Sequence, residues 1–343
     1  MPILPNIQEK IQKKILPVVP AKWRPMMQLG INALSVKPFV SLNSNARSSR
    51  KNAVAAERQM YRLLTHPQFL GIFSSLLLSF FSVNEQSVIA MDFTIEGKFA
   101  MLCLALQTRE GRAIPLWVDV VEYPVSDHSQ NLFILDVVRE FQAVVGCSFK
   151  LVCDRGFIGE WLVGGFLDLN LTFSIRLKRG QHWRVNGTRR CFSKQGTLDQ
   201  VGTIYGETLR VVRSSKTLQK QMQAKEPWII LTNDFTATRN QVLDWYAHRF
   251  EIEETFKDLK HLLDFLPTWF KKRTSVLTVF WFAMLGFWLL WQISRRPSIW
   301  QERLLQHRKK KVSWVRQLFE LLRKELEQLV LPEPSWRKEV TPA

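Results

Sequence analysis

Apolar and polar positions fall in short blocks through the middle of the chain. Residues 87–94, 99–108 and 113–123 are apolar runs rich in β-branched and aromatic residues, which predicts three strands. Arg109-Glu110-Gly111-Arg112 is a polar, glycine-containing break and predicts a hairpin turn between the second and third. The period then lengthens to that of a helix over about 129–145, with Ser126 or Asp127 placed to cap it. A fourth strand is predicted at 149–154, a helix at about 158–168 and a fifth strand at 171–177. A buried strand returns at 228–232, followed by one long helix from about Asn240 to Leu263 that Pro267 ends.

The flanks differ from this centre. Residues 1–65 read as basic helical pieces interrupted by Pro5, Pro17, Pro20 and Pro25, and residues 68–83 as an apolar helix. Helices are expected at 275–293 and 312–330, joined through Arg308-Lys309-Lys310-Lys311, and no internal repeat is evident. Residues 178–226 change character: basic, with short β-like pieces at 203–205 and 208–213. With that segment set aside the order is β-β-β-α-β-α-β-α, the order of the ribonuclease-H-like fold. The expected class is α/β: a ribonuclease-H-like mixed sheet with a β-rich insertion and helical N- and C-terminal regions. The expected division is 1–85, a helical basic DNA-binding region; 86–177 with 227–265, the core; 178–226, the insertion; and 266–343, a C-terminal helical region.

Charge narrows the partners. The chain of 343 residues carries a net +18, which implies a polyanion, most commonly nucleic acid. Residues 1–85 hold 11 Lys/Arg against 3 acids and residues 176–225 hold 12 against 2, whereas 86–154 have no basic excess. The four cysteines (Cys103, Cys147, Cys153, Cys191) have no C-x-x-C spacing and suggest reduced thiols in a cytoplasmic protein rather than structural zinc. The start, Met-Pro-Ile-Leu-Pro, does not open a signal peptide. Residues 67–84 and 274–294 lack charge and imitate membrane spans, but Ser, Thr, Gly and Gln punctuate the second run, which favours a helix buried in a large core.

Two acids interrupt apolar strands: Asp92 in Val88-Ile89-Ala90-Met91-Asp92-Phe93-Thr94, and Asp154 at the end of Leu151-Val152-Cys153-Asp154. An unpaired carboxylate is costly to bury, so each needs a salt bridge, an edge position or a function. In the ribonuclease-H-like order these acids lie on neighbouring strands, within reach of an acid on the last helix. Wound at about 100° per residue, that helix puts Tyr246, Arg249, Glu253 and Lys260 in one arc beside an apolar stripe of Trp245, Ile252, Phe256 and Leu259. Glu251, Glu254, Asp258 and His261 fall on the far side. Three oxygen-donor acids without His or Cys suit Mg²⁺ or Mn²⁺, and two such ions serve phosphoryl transfer.

The spacing Tyr246-x2-Arg249-x3-Glu253-x6-Lys260 resembles the Y-x2-R-x3-E-x6-K signature of DDE transposases from bacterial insertion sequences, in the subgroup with a β-rich insertion. Val152-Cys153-Asp154-Arg155 resembles that family's second-Asp motif and Met91-Asp92-Phe93-Thr94 its first; the likeness covers about residues 86–265. The resemblance implies that Asp92, Asp154 and Glu253 hold two Mg²⁺ (or Mn²⁺) ions, and that Tyr246, Arg249 and Lys260 bind DNA phosphates. It gives Trp228 the place of a tryptophan that stacks on a flipped base, against the alternative of a core tryptophan. Lys178 and Arg179, opening the insertion, are candidates for tracking a DNA backbone, or for a solvated charged face. Asp119 reads as an edge or surface residue, and His128, His248 and His261 as surface or capping residues. The implied protein binds inverted-repeat ends and target DNA as a homodimer, cuts and joins strands, acts at the bacterial nucleoid and touches no membrane. Alternatives are a ribonuclease-H-like nuclease that does not join strands, a catalytically silent DNA-binding relative and a basic membrane protein.

Overall fold

The computed structural model describes residues 80–178, 180–191, 199–221, 225–262 and 272–294, together with 13, 17, 21, 24, 74 and 76–78. The helices expected within 1–65 and 312–330, and the stop at Pro267, lie outside the described residues.

Strands β1 (Val88–Glu96), β2 (Phe99–Leu106) and β3 (Ile114–Glu122) form an antiparallel meander. β2 is buried on both faces except at its last residue, which explains its unbroken apolar sequence. Helix α1 (Asp127–Val145) starts at Ser126, whose side chain accepts from Ser129 N, and stops at Gly146 with φ 69°. It returns the chain to β4 (Lys150–Cys153), which runs parallel to β1; α2 (Glu160–Asp168) then leads to β5 (Thr172–Arg176), parallel to β4. The order β3-β2-β1-β4-β5, with only β2 reversed against its neighbours β1 and β3, is the ribonuclease-H-like arrangement.

The basic insertion continues this sheet. After β5 come β6 (His182–Val185), β7 (Thr188–Cys191), β8 (Asp199–Ile204), β9 (Glu207–Arg213), the short α3 (Lys216–Gln221) and β10 (Ile229–Thr232). β10 pairs antiparallel with both β5 and β9, so the whole is one ten-stranded sheet ending β5-β10-β9-β8-β6-β7. The β6–β7 hairpin escapes a hydrophobicity reading because each strand has four residues and β7, Thr-Arg-Arg-Cys, is nearly all exposed. Its turn was nonetheless written in the sequence: Asn186-Gly187, with φ 50° and 75°, is the pair that a two-residue hairpin favours.

Helices α4 (Arg239–His248), α5 (Glu251–Leu262) and α6 (Arg273–Ser294) complete the described fold. The uncharged segment near residue 280 is a core helix, α6. Trp281 meets Trp117 of β3 edge-on at 4.9 Å, and Trp288 Nε1 donates to Pro115 O. Among the described residues no helix is long and apolar enough to cross a membrane. Asp119, on the edge strand β3, is paired through both oxygens with Arg273 at the start of α6. A second, smaller cluster (Val152, Val212, Trp228, Ile230, Val242, Tyr246) seats α4 on the sheet. Ala90 pairs with Val152, and side chains alternate along a strand, so Asp92 projects on the same face as this cluster.

Candidate active site

Met91 pairs with Cys153 across the parallel β1–β4 ladder, so Asp92 and Asp154 follow side by side at the next position. Asp154 leaves β4 and caps a single 3-10 turn, Arg155–Phe157, its Oδ1 accepting from Gly156 N at 2.7 Å. A Cβ on Gly156 would stand 2.9 Å from that oxygen, so glycine keeps the space beside the carboxylate open. The Asp92 Oδ1 accepts from Phe93 N at 2.9 Å. Burial pushes the Asp92 pKa up to about 6; Arg249 opposes the shift, and the charges of Asp154 and Glu253 add to it.

The single long helix expected here is two. α4 ends at His248, Arg249 is its C-cap with its N–H on Tyr246 O, and α5 starts at Glu251. Ile252 N bonds back to Arg249 O at 3.2 Å, so the chain stays tightly wound through the break. Glu253, 41% exposed, lies on the first turn of α5, and its Oε1 takes Arg249 Nη2 at 2.6 Å. Arg249 Nη1 donates to Asp92 Oδ2 at 3.1 Å. One guanidinium, 4% exposed, therefore joins two of the three acids. Burial works against its charge; Tyr246, Asp92 and Glu253 more than offset that, and its pKa rises.

The remaining predicted residues are placed variously. Tyr246 is 0% exposed; its ring meets Trp228 edge-on at 5.0 Å, and its hydroxyl, like Arg249 Nε, has no hydrogen-bond partner among the described residues. Trp228, 5% exposed, packs on Tyr246 and Phe250 and donates its backbone N–H to Ser214 Oγ: the setting of a core tryptophan. Lys260 pairs with Glu96 at the end of β1. Lys178 is exposed two residues past β5, the parallel neighbour of β4, where Ile175 pairs with Cys153 just before Asp154, and Arg179 lies outside the described residues. His248 Nδ1 lies on Asp244 O, and His128 is exposed against Trp161. The side chain of His261 is outside the described residues.

The helical projection also misjudged the far side of the last helix. Glu251 and Asp258 are buried, gripping the β2–β3 turn: Glu251 accepts from Thr108, Arg109 and Gly111 backbone N–H groups, and Asp258 from Arg112. A buried acid looks like a surface acid in sequence when its partners are backbone groups on another element.

A family model described as a transposase DDE domain matches residues 96–288. The chain belongs to that family. The matched stretch contains Asp154 and Glu253 and opens just past Asp92, on the same strand. Of solved structures, the piggyBac transposase synaptic complex with hairpin DNA, seen by cryo-EM, is similar at 10% identity and TM-score 0.43, over 91% of this chain and 73% of that one. Aa-Ago with externally bound siRNA is similar at 10% identity and TM-score 0.27, over 56% and 30%. No curated protein matches.

DDE transposases cut DNA with divalent metal ions, so the acids of this one can be tested for fit. Among the described residues, no three acids, histidines or cysteines converge closely enough to share one ion. The donor set is nevertheless that of a hard cation: carboxylate oxygens only. Burial is the main cause that raises the Asp92 pKa, with the charges of Asp154 and Glu253 adding to it, and a bound cation would favour the ionised carboxylate against both. Arg249 already places one positive group between Asp92 and Glu253. By donor chemistry the three carboxylates fit a divalent ion, although among the described residues they do not converge on one point.

Proposed function

We propose that this chain is the transposase of a bacterial insertion sequence, in the subgroup carrying the Y-x2-R-x3-E-x6-K signature. Two copies would act together, each binding an inverted-repeat end, cutting it and joining the 3′ end to target DNA at the nucleoid. The observation that supports this best is the placement of Asp92 in β1 beside Asp154 just past the end of the parallel strand β4, with Glu253 tied to Asp92 through Arg249.

Asp92, Asp154 and Glu253 would hold the divalent metal ions, Mg²⁺ or Mn²⁺. Divalent ions bound there make an attacking oxygen nucleophilic at neutral pH and stabilise the leaving oxygen of a phosphodiester. Asp154 has one oxygen on Gly156 N and offers its other, Oδ2, to the site. Glu253 closes the site from α5. Arg249 holds Asp92 and Glu253 together and balances their charge. Tyr246 and Trp228 support Arg249 and the start of α5 from within the core. Lys260, on α5 beside Glu96 of β1, meets DNA phosphates together with Lys178 and Arg179, which open the insertion in sequence, consistent with the net charge of +18.

The test uses the full chain, Mg²⁺ and duplex DNA carrying the repeats that flank its coding region. Repeat-specific nicks whose 3′ ends become covalently joined to a second duplex support the proposal. Cutting without joining leaves a nuclease, and neither activity at any Mg²⁺ or Mn²⁺ concentration overturns the catalytic reading.

A further inference from the structure

We infer that Glu251 is a positioning residue for Glu253: its carboxylate fixes the rotation of α5 against the β2–β3 turn and so aims Glu253 at Asp92. The inference rests on the metal site proposed above.

Glu251 is 6% exposed and both its oxygens are engaged. Oε2 accepts from Thr108 N at 3.0 Å and Arg109 N at 3.3 Å, and Oε1 from Gly111 N at 3.0 Å. The turn is bent to present these groups: Arg109 and Gly111 have φ of 63° and 81°, a concave backbone suited to an anion. The main chain is tied as well. Ala113 N donates to Glu251 O, and Thr255 Oγ1 donates to Ala113 O at 2.7 Å.

The position of this clasp gives it consequence. α4 and α5 meet at Arg249-Phe250 with the winding kept, and the Glu251 clasp adds a direct hold on the rotation of α5 to the one passed on by α4. Residues two apart on a helix point about 200° away from each other. With Glu251 held by the turn, Glu253 is directed to the opposite side, where Arg249 and Asp92 lie. The turn belongs to the strand pair that borders the site, since β2 pairs Cys103 with Asp92. Arg112 adds a second grip, with Nε 2.6 Å from Asp258 Oδ2 about two helical turns further along α5. Groups that orient metal-binding side chains set metal affinity without touching the ion.

The experiment measures Mn²⁺ binding by calorimetry on the full chain, alongside duplex-DNA binding and far-ultraviolet dichroism. The proteins are wild type, Glu251→Ala, Glu251→Gln and Glu253→Gln. Glu251→Ala is expected to stay helical and bind DNA like wild type, while its Mn²⁺ dissociation constant rises about 10- to 100-fold. Glu251→Gln, which keeps one acceptor, falls between. If Glu251→Ala fails to fold, Glu251→Gln carries the comparison alone. A folded Glu251 variant that binds Mn²⁺ like wild type, while Glu253→Gln has lost it, overturns the positioning role and leaves the metal site standing. Mn²⁺ binding unchanged in Glu253→Gln overturns the metal-site reading itself.

Discussion

Arg249 reaches Asp92 across 157 positions of sequence, its Nη1 3.1 Å from the carboxylate Oδ2. The same guanidinium holds Glu253, so this bridge ties α4 and α5 to β1. Removing one member of a buried ion pair leaves the other charge uncompensated. Arg249→Gln is therefore expected to destabilise the metal-free protein by about 3 kcal/mol. Added Mn²⁺ is expected to recover part of the loss, because it supplies the missing positive charge. Urea unfolding of both proteins with and without Mn²⁺ measures this, and equal destabilisation in both conditions counts against the bridge as a charge-balancing device.

The Asp92 carboxyl should impose its own pH dependence. Its folded pKa is raised to about 6 from the ordinary carboxylate value of 3.8, so the folded state binds this proton more tightly than the unfolded state does. The stabilisation is full below the unfolded value and is lost as pH rises through about 6. Relative to Asp92→Asn, metal-free wild type should lose roughly 3 kcal/mol between the two pKa values, at one pKa unit per 1.36 kcal/mol. Paired denaturation curves from about pH 3.5 to 7.5 test this. A stability difference that is flat or rises with pH contradicts it. Mn²⁺ affinity should weaken below about pH 6, where the proton competes with the ion.

Gly156 gives a more local test. A Cβ there would sit 2.9 Å from Asp154 Oδ1, and the backbone needs no positive φ, so the substitution acts on the carboxylate rather than on the chain. Gly156→Ala is expected to fold with nearly wild-type stability and to require much more Mn²⁺ for DNA cutting. A shift in thermal midpoint with an unchanged metal requirement would place the effect in the fold instead.

Asp234 separates stability from chemistry. Burial alone would raise its pKa, but hydrogen bonds from Ala237 N, Thr236 and Lys150 hold it down at about 2. Its Oδ2 pairs with Lys150 Nζ at 3.0 Å, with both side chains largely buried. Asp234→Ala is expected to cost about 3–5 kcal/mol by stranding that lysine. The wild-type contribution is full above the ordinary carboxylate value and lost as pH falls toward about 2. Because Asp234 lies outside the acid cluster, refolded Asp234→Ala should retain its Mn²⁺ affinity.

The sequence made some of this legible for physical reasons. β1 to β3 stand out because polar turns bound short apolar runs, and Asp92 and Asp154 because a charge inside such a run calls for a reason. Ser126 was readable as a cap, and Asp119 as an edge residue. The break at Arg249-Phe250 carried no signal, since neither proline nor glycine marks it and the tight winding preserves the helical spacing. That hidden break, with the turn it packs on, also hid Glu251, whose partners are backbone N–H groups that leave no trace in composition. Trp228 read as a base-stacking or a core residue alike, and Tyr246 as a phosphate ligand, whereas the packing of α4 on β10 buries both. The insertion looked separate because its strands are short and basic, whereas pairing with β10 makes it part of the same sheet.

The central claim is that Asp92, Asp154 and Glu253 form one metal site that cuts DNA. The most direct measurement is Mn²⁺-dependent cleavage of the repeat-bearing duplex by wild type, Asp92→Asn, Asp154→Asn and Glu253→Gln, each first shown to bind that duplex. The account predicts cutting by wild type and loss of cutting in all three variants, with DNA binding retained. Wild-type cutting by any one of the three, at ordinary Mn²⁺, would contradict it.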